Sequence, residues 1–317
     1  MNNVLIVLTL PEAIRARYRD RIAAVSRDLR VDVVDHHSKV DAFIGDAEIL
    51  VTFGPMMHDR VFKNATKLKW VQALGSGVDG ITDQPSLPEG TIVTNIKGIH
   101  GAPVAEAALT SMLALARDLP RSLSAQKDHR WERWPARTLD GKTVVIVGVG
   151  LISEALAPRC KALGMTVIGV SGTPRDLPGF DRIEPRTRLL ETVAEADHLV
   201  LLAPHTDETH HMIDTRTIAA LKPTAYLINL ARGGVVDERA LVEALENKRL
   251  AGAALDVFAT EPLPPNNPLW DMDNVILTPH LGGFFEEYPD YALPVIEENL
   301  RRFLAGDRAN MINLVQG

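Results

Sequence analysis

The chain has 317 residues, about twice the usual length of a single domain, so two domains on one polypeptide are expected. Its net charge of -7, with no Lys or Arg run longer than a pair, provides no basic face for nucleic acid or an anionic membrane. The single cysteine, Cys160, excludes an internal disulfide and a thiolate metal cluster. The apolar opening is too short for a signal peptide, and no run reaches the roughly 18 apolar residues of a membrane span, which predicts a cytoplasmic protein.

Apolar and amphipathic runs alternate from the start of the chain. Strands are expected at residues 4–8, 31–34, 49–52, 68–73 and 92–94, with a helix over residues 13–29. Such alternation predicts a parallel sheet covered by helices, the α/β class.

A second and clearer series follows residue 140. Six strands separated by helices are expected at residues 143–147, 166–170, 198–202, 225–230, 252–255 and 275–277, and together they predict one nucleotide-binding sheet. A helix over residues 103–117 bridges the two series, and a last helix at about 288–304 is expected to return to the first sheet. We therefore predict two doubly wound parallel-sheet domains. A Rossmann dinucleotide-binding domain, residues 100–285, is inserted into a flavodoxin-like substrate domain, residues 1–99 plus 286–317.

A glycine turn connects a buried strand to a helix at residues 144–153, VVIVGVGLIS. Gly148 allows the tight turn, and Gly150 lets the backbone approach a pyrophosphate, whose charge is met by amides at the helix N-terminus. Ser153 stands where the usual fingerprint has a third glycine, and serine is small enough to be tolerated there. The strand before and the helix after this turn predict dinucleotide binding rather than an ordinary glycine turn.

The end of the second strand of this series bears on the choice of cofactor. An NAD site usually presents an acidic residue to the adenosine ribose at this point, but the chain reads SGTPR over residues 171–175. The hydroxyls of Ser171 and Thr173 and the cation of Arg175 could hold a 2′-phosphate, which favours NADP over NAD. The alternative is that Arg175 is a solvated loop cation, and NAD remains open.

Three further segments closely resemble the signatures of the D-isomer-specific 2-hydroxyacid dehydrogenases. They are residues 229–238 (NLARGGVVDE), 254–264 (ALDVFATEPLP) and 277–283 (LTPHLGG). The resemblance extends upstream to residues 75–79 (GSGVD) and 104–106 (VAE), so it spans most of the chain.

The resemblance implies a catalytic role for three residues. His280, at the carboxyl end of a strand, would be the general acid and base, and Glu261 would hydrogen-bond it and stabilise the imidazolium. Arg232 would bind the substrate carboxylate and polarise the keto oxygen through its planar charged fork. Each residue meets one need of 2-keto acid reduction: a proton donor, a group that tunes it, and a carboxylate clamp.

The backbone of the turn at Ser76 and Gly77 could hold the same carboxylate, which would place the reaction in an interdomain cleft. The resemblance further implies cofactor contacts from His280 and from a set of turn and strand-end residues: Gly148, Gly150, Leu151, Ile152, Ser171, Thr173, Arg175, Pro204, Thr209, Ala231, Asp256 and Gly282. A structural role is left open for Asp256. His100 and His205 are interpreted as structural or cleft-lining, although the family commonly has an apolar residue where His205 stands.

The predicted function is hydride transfer between NAD(P)H and a small 2-keto or 2-hydroxy acid of the glyoxylate or hydroxypyruvate type. Two alternatives stay open: a nicotinamide-sensing, corepressor-like binding protein, which the fold alone does not exclude, and a 3-phosphoglycerate-type dehydrogenase. The family resemblance also implies a homodimer with residues 103–128 at the interface.

Overall fold

The computed structural model describes residues 2–54 and 57–315. The chain divides into two compact units. The first contains the described residues up to Ile99 together with those from Glu286 onward, and the second is His100–Phe285. Among the described residues, no helix combines the length and the apolar character needed to cross a membrane.

The first unit is built on a sheet of five parallel strands. In chain order they are β1 (Asn2–Val7), β2 (Leu29–Val34), β3 (Ile49–Thr52), β4 (Trp70–Ala73) and β5 (Ile92–Thr94). The strands lie in the order β2-β1-β3-β4-β5, which is the order of flavodoxin-like sheets. Every residue of β3 and β4 is buried because these inner strands are covered on both faces.

Helices α1 (Glu12–Ala23), α2 (Asp59–Lys63) and α9 (Tyr288–Leu304) belong to the first unit. Although α9 is the last helix of the chain, the ring of its Phe303 stacks on Trp70 of β4 at 5.4 Å between centroids. The hydroxyl of Tyr288 donates to the carbonyl of Leu74 just beyond β4. The chain therefore returns to this sheet after the second unit is complete.

One predicted boundary in this unit is wrong. The helix expected over residues 13–29 ends at Ala23, and Leu29 already begins β2. The chain turns between them, where the hydroxyl of Ser26 accepts the amide of Asp28 at 3.2 Å. Short polar side chains that bond nearby amides compete with helix hydrogen bonds, which explains the early end.

The second unit contains a sheet of seven parallel strands. They are β6 (Thr143–Val147), β7 (Thr166–Ser171), β8 (Arg182–Pro185), β9 (His198–Leu201), β10 (Tyr226–Asn229), β11 (Gly252–Leu255) and β12 (Val275–Leu277). Their order is β12-β11-β10-β9-β6-β7-β8. The two parallel sheets confirm the predicted α/β class, but the sequence analysis missed β8. This edge strand has a single branched apolar residue, Ile183, and ends in Pro185, so it lacks the usual strand pattern.

Helices cover both faces of this sheet. They are α3 (Gly101–Ala116), α4 (Leu119–Lys127), α5 (Leu151–Ala162), α6 (Leu189–Val193), α7 (Thr215–Ala220) and α8 (Glu238–Glu246). Cys160 of α5 is fully buried in the core shared with α3, and burial raises the pKa of its thiol to about 12. The thiol therefore stays protonated and fills space in the core, as its apolar surroundings predict.

Candidate active site

Three predicted site residues lie at one edge of the second sheet. Arg232 follows β10, Asp256 follows β11, and His280 follows β12. These strands are adjacent and parallel, so their carboxyl ends bring the three loops together. The carboxyl edge of such sheets is where α/β folds bind ligands.

The loop that carries Arg232 is fixed by its own backbone and by Asn229. The Asn229 side chain accepts the amide of Ala231 at 3.1 Å and donates to the carbonyl of Arg232 at 3.1 Å. A Cβ atom at Gly233 would lie 1.9 Å from the backbone of Phe258, so only glycine permits this approach. The guanidinium donates to the carbonyl of Ala231 at 2.7 Å. These local contacts fix the backbone position from which the Arg232 side chain extends.

Asp256 braces the turn that carries His280. Its carboxylate accepts the hydroxyl of Thr278 at 2.5 Å, the amide of Leu281 at 2.8 Å and the amide of Gly282 at 2.8 Å. The side chain is buried, and these three donors satisfy its carboxylate oxygens. These contacts favour the structural role that the sequence left open for Asp256.

The backbone of His280 has a φ of 55°, in the left-handed region that residues other than glycine seldom adopt. Its amide donates to the carbonyl of Asp256 at 2.8 Å, so the backbone of Asp256 also holds this conformation. Such conformations persist only where the surroundings determine them, and they cluster at functional sites.

The Glu261 carboxylate lies 2.8 Å from Nδ1 of His280. Its other oxygen accepts the amide of Phe258 at 3.0 Å, which fixes the carboxylate on the backbone. Desolvation favours the protonated acid, but the hydrogen bond and the charge of His280, the amide of Phe258 and the charge of Arg232 together hold the pKa of Glu261 below its usual value. Glu261 is therefore an anion beside the imidazole, and it leaves Nε2 as the ring nitrogen that can exchange a proton.

Two histidines that the sequence analysis interpreted as structural or cleft-lining lie close to this corner. A Cβ atom at Gly283 would lie 2.9 Å from the ring of His100. Burial, aided by the charge of Arg232, lowers the pKa of His100 to about 4, so its ring is neutral near pH 7. His100 is thus a buried neutral neighbour of the Arg232 charge and not a second acid.

His205, in the loop after β9, lies against the loop after β10 that carries Arg232. A Cβ atom at Gly234 would lie 2.6 Å from its Nε2 atom, which is also 3.0 Å from Nδ1 of His210. No spacing signal in the sequence links His205 to Gly234, because the contact joins the loops after β9 and β10.

The glycine turn after β6 has the shape that a dinucleotide needs. Gly148 has a φ of 102°, and a Cβ atom there would lie 2.4 Å from the amide nitrogen of Ala203. At Gly150 a Cβ atom would meet nothing within 4 Å, so the backbone is open on that side. The residues present therefore fit a pyrophosphate that approaches at Gly150.

Ser153 explains how the fingerprint tolerates the loss of its third glycine. The side chain is fully buried, accepts the amide of Gly150 at 2.8 Å and donates to its carbonyl at 2.9 Å. The Gly150 amide is therefore engaged within the turn. The amides of Leu151 and Ile152, which precede the first helical hydrogen bond of α5 at Glu154, remain as the donors for an anion.

Among the other predicted cofactor contacts, Thr209 holds the loop after β9 together. Its hydroxyl donates to the carbonyl of Pro204 at 2.6 Å and accepts the amide of Thr206 at 2.8 Å. Pro204 is exposed, whereas Thr209 and Ala231 are buried. Thr209 thus shapes the loop, and of the two cofactor contacts predicted in this loop Pro204 is the accessible one.

Two cations lie at the end of β7, and both are near carboxylates or backbone of other segments. The Arg175 guanidinium donates to the Glu154 carboxylate on α5 at 3.0 Å. The sequence analysis missed a second cation, Arg186, whose Nη2 would lie 3.0 Å from a Cβ atom at Gly172. Ser171 and Thr173 lie together, and the Ser171 hydroxyl accepts the Thr173 amide at 3.2 Å.

Ser76 and Gly77 lie in the first unit, in the loop after β4. The Asn95 side chain donates to the carbonyl of Ser76 at 2.8 Å, and the amide of Ile96 donates to the carbonyl of Gly75 at 3.0 Å. The loop is thus fixed by the chain just beyond β5. Ser76 itself is exposed.

No group of three His, Cys, Asp or Glu side chains in the described part of the chain could hold a metal ion.

The second sheet and its glycine turn define a dinucleotide-binding fold, and the carboxyl edge adds an acid–base pair beside an arginine. The sequence model described as D-isomer specific 2-hydroxyacid dehydrogenase, NAD binding domain, matches residues 109–282. This chain belongs to the D-isomer specific 2-hydroxyacid dehydrogenase family, which confirms the resemblance seen in the sequence.

Known proteins of the family show the same similarity over most of the chain. A D-3-phosphoglycerate dehydrogenase of Methanocaldococcus jannaschii is 37% identical over 86% of this chain, but the chain spans only about half of that relative, 52%. A glyoxylate reductase of Pyrococcus furiosus is 34% identical over 83% of this chain and 81% of the relative. A solved D-isomer specific 2-hydroxyacid dehydrogenase of Xanthobacter autotrophicus in complex with NADPH and MES has 32% identity and a TM-score of 0.80, covering 100% of this chain and 98% of that one.

Proposed function

We propose that this protein is an oxidoreductase that transfers a hydride between NADPH and the C2 atom of a small 2-keto or 2-hydroxy acid, of the glyoxylate or hydroxypyruvate type. The observation that carries the proposal is the Glu261 carboxylate 2.8 Å from Nδ1 of His280, with the Arg232 charge acting on the same carboxylate. The similarity to a glyoxylate reductase over 81% of that relative supports the substrate class.

In this proposal, His280 supplies the proton. Glu261 holds Nδ1, so the proton that reaches the keto oxygen comes from Nε2, and the anion beside the ring stabilises the imidazolium that serves as the acid. The nicotinamide, when bound, supplies the hydride to C2. In the oxidative direction, neutral His280 accepts the hydroxyl proton and Glu261 stabilises the charge that results.

Arg232 is proposed to bind the substrate carboxylate. Its guanidinium presents paired donors that match a carboxylate. His100 beside it is neutral near pH 7, so its ring adds no second positive charge next to Arg232. Ser76 and Gly77 are proposed as further carboxylate ligands through their backbone amides, as the family resemblance implies.

For the cofactor we propose a preference for NADPH over NADH. Residues 171–175 contain no carboxylate to repel a 2′-phosphate, and the solved relative from Xanthobacter autotrophicus is a complex with NADPH. Gly148 forms the tight turn, the backbone at Gly150 is open to the pyrophosphate, and the amides of Leu151 and Ile152 would hold it at the start of α5.

We also propose a cytoplasmic homodimer that uses residues 103–128. Large apolar side chains are exposed there, including Leu113, Leu119 and Leu123 at 42%, 44% and 56%. Sedimentation velocity is expected to give about twice the chain mass of 34.7 kDa.

The direct test of the proposed function is the initial rate of absorbance loss at 340 nm with NADPH and NADH in parallel. The substrate panel contains glyoxylate, hydroxypyruvate, pyruvate and phenylpyruvate. Turnover with the first two, faster with NADPH, is the expected result. Absence of turnover on every member, with the cofactor bound, would reject the activity and favour a nicotinamide-sensing binding protein.

A second candidate, oxidation of 3-phosphoglycerate, is favoured by the 37% identity to a D-3-phosphoglycerate dehydrogenase. An assay of 3-phosphoglycerate oxidation with the oxidised cofactor distinguishes the two candidate functions. Faster turnover of this phosphorylated acid than of glycolate would make it the better description of the substrate.

A further inference from the structure

Arg186 lies at the point where the adenosine ribose binds in dinucleotide folds. It directly follows β8, which pairs with β7 so that Ser171 lies opposite Pro185. Its Nη2 atom would be 3.0 Å from a Cβ atom at Gly172, and its Cζ atom would be 3.7 Å away. The guanidinium therefore lies against the backbone at the carboxyl end of β7, where an acidic residue contacts the ribose in NAD sites.

The cation that the sequence singled out is directed elsewhere. Arg175 bonds Glu154 on α5 at 3.0 Å, and both side chains are more than a third exposed, at 47% and 37%. Arg186 instead reaches the carboxyl end of β7, where the ribose is expected, because Gly172 has no side chain to block it. A residue larger than glycine at position 172 would have to displace the guanidinium.

Arg186 also has a partner that can release it. Its Nη1 atom is 2.7 Å from the Glu208 carboxylate, whose side chain is 78% exposed. Ion pairs with exposed carboxylates are weak because water and salt screen them. A phosphate dianion offers more charge and more acceptor oxygens than a carboxylate, and it pairs with two guanidinium donors at once.

We propose that Arg186, and not Arg175, binds the 2′-phosphate of NADPH, and that Glu208 holds the guanidinium in place until the phosphate replaces it. The Ser171 hydroxyl accepts the Thr173 amide and keeps its own proton for a phosphate oxygen. This inference rests on the proposed preference for NADPH, and it names the side chain that produces that preference.

The test measures binding and needs no turnover. Isothermal titration calorimetry compares adenosine 2′,5′-bisphosphate, the adenosine half of NADP, with 5′-AMP, the adenosine half of NAD. The full chain is used as wild type and as Arg186→Gln, Arg175→Gln and Glu208→Gln. Arg188→Gln is the matched control, because Arg188 lies two residues away and also pairs with an exposed carboxylate, that of Glu191, besides the more buried one of Glu184. Circular dichroism and thermal unfolding check that each variant is folded.

In Arg186→Gln, affinity for the bisphosphate is expected to fall by about tenfold or more, and affinity for 5′-AMP should stay within about twofold. Arg175→Gln and Arg188→Gln should change neither affinity by more than about twofold. Glu208→Gln should bind the bisphosphate more tightly than wild type, because it removes both a competitor for Arg186 and a nearby negative charge.

Two results would overturn the assignment while leaving the NADPH preference intact. One is a preference for the bisphosphate over 5′-AMP that survives in Arg186→Gln. The other is a loss of bisphosphate affinity that occurs in Arg175→Gln and not in Arg186→Gln. An equal loss of both ligands in Arg186→Gln would also overturn it, since the guanidinium would then contact a part that both ligands share. Equal affinity of wild type for the two ligands would reject the NADPH preference itself, and this inference with it.

Discussion

Two regions on the carboxyl edge of the second sheet are built in different ways. At the ends of β10 to β12, buried Asp256 bonds three groups of the turn that carries His280, and Glu261 is fixed on the backbone of Phe258. At the ends of β7 and β8, Arg175 and Arg186 form ion pairs with Glu154 and Glu208, whose side chains are 37% and 78% exposed. The first region fixes its proposed acid–base groups before a ligand arrives, whereas in the second we expect a protein partner to be exchanged for a ligand.

The largest effect on stability is expected at Asp256, whose carboxylate holds the turn that carries His280. In Asp256→Asn, the amide group keeps the shape of the side chain but turns a donor toward the amide of Gly282 or Leu281. Leaving such a buried donor unsatisfied costs about 1–3 kcal/mol of unfolding free energy. Chemical denaturation measures this loss, and turnover should fall as well because the turn at His280 loosens.

Asp237→Asn is the matched control for the brace. Asp237 caps α8 by accepting the amide of Ala240 at 3.1 Å, and asparagine caps a helix about as well as aspartate. The same loss of one charge should therefore leave stability nearly unchanged there. Equal losses of unfolding free energy in Asp256→Asn and Asp237→Asn would show that the loss of a charge, and not the loss of the Asp256 hydrogen bonds, causes the effect.

A smaller effect on turnover is expected at Glu261. Although desolvation opposes it, the hydrogen bond and the charge of His280 hold the pKa of Glu261 below its usual value, so an anion lies 2.8 Å from Nδ1 of the ring. Glu261→Gln removes that anion, and kcat/KM for reduction should fall by about tenfold or more at a fixed pH. Turnover equal to that of wild type would mean that the proton transfer does not need the anion.

The same pair predicts how stability depends on acid. The lowered pKa of Glu261 means that the folded chain gains stability above the unfolded pKa of this carboxyl and loses it as pH falls through the folded value. The Gln variant should lose less stability than wild type over that acidic range.

The smallest effect is expected at the cofactor edge. Glu154→Gln breaks the 3.0 Å pair with Arg175, and pairs with this exposure contribute about 0–1 kcal/mol. Chemical denaturation in low and high salt should find a loss within that range that shrinks as salt is added. A loss as large as that of Asp256→Asn would remove the contrast between the two regions.

The sequence predicted the parts of the structure that have a local signal. Buried apolar runs gave most strands of both sheets, and the motifs put Arg232, Glu261 and His280 at loop positions that the fold brings to one edge. Edge strand β8 has too few apolar residues to be recognised, and the Arg186 contact with Gly172 depends on that strand. The partners Glu154 and Glu208 come from distant segments, so no spacing in the sequence could assign them to Arg175 and Arg186.

We propose that His280 moves the proton while the rest of the chain binds the cofactor. The measurement that tests it most directly is kcat/KM for glyoxylate reduction in His280→Ala, with the dissociation constant for NADPH measured on the same preparation. We predict a fall in kcat/KM of about 10²–10⁴-fold, with the NADPH affinity within about twofold of wild type. Turnover close to that of wild type at equal NADPH affinity would contradict the account and require another proton donor.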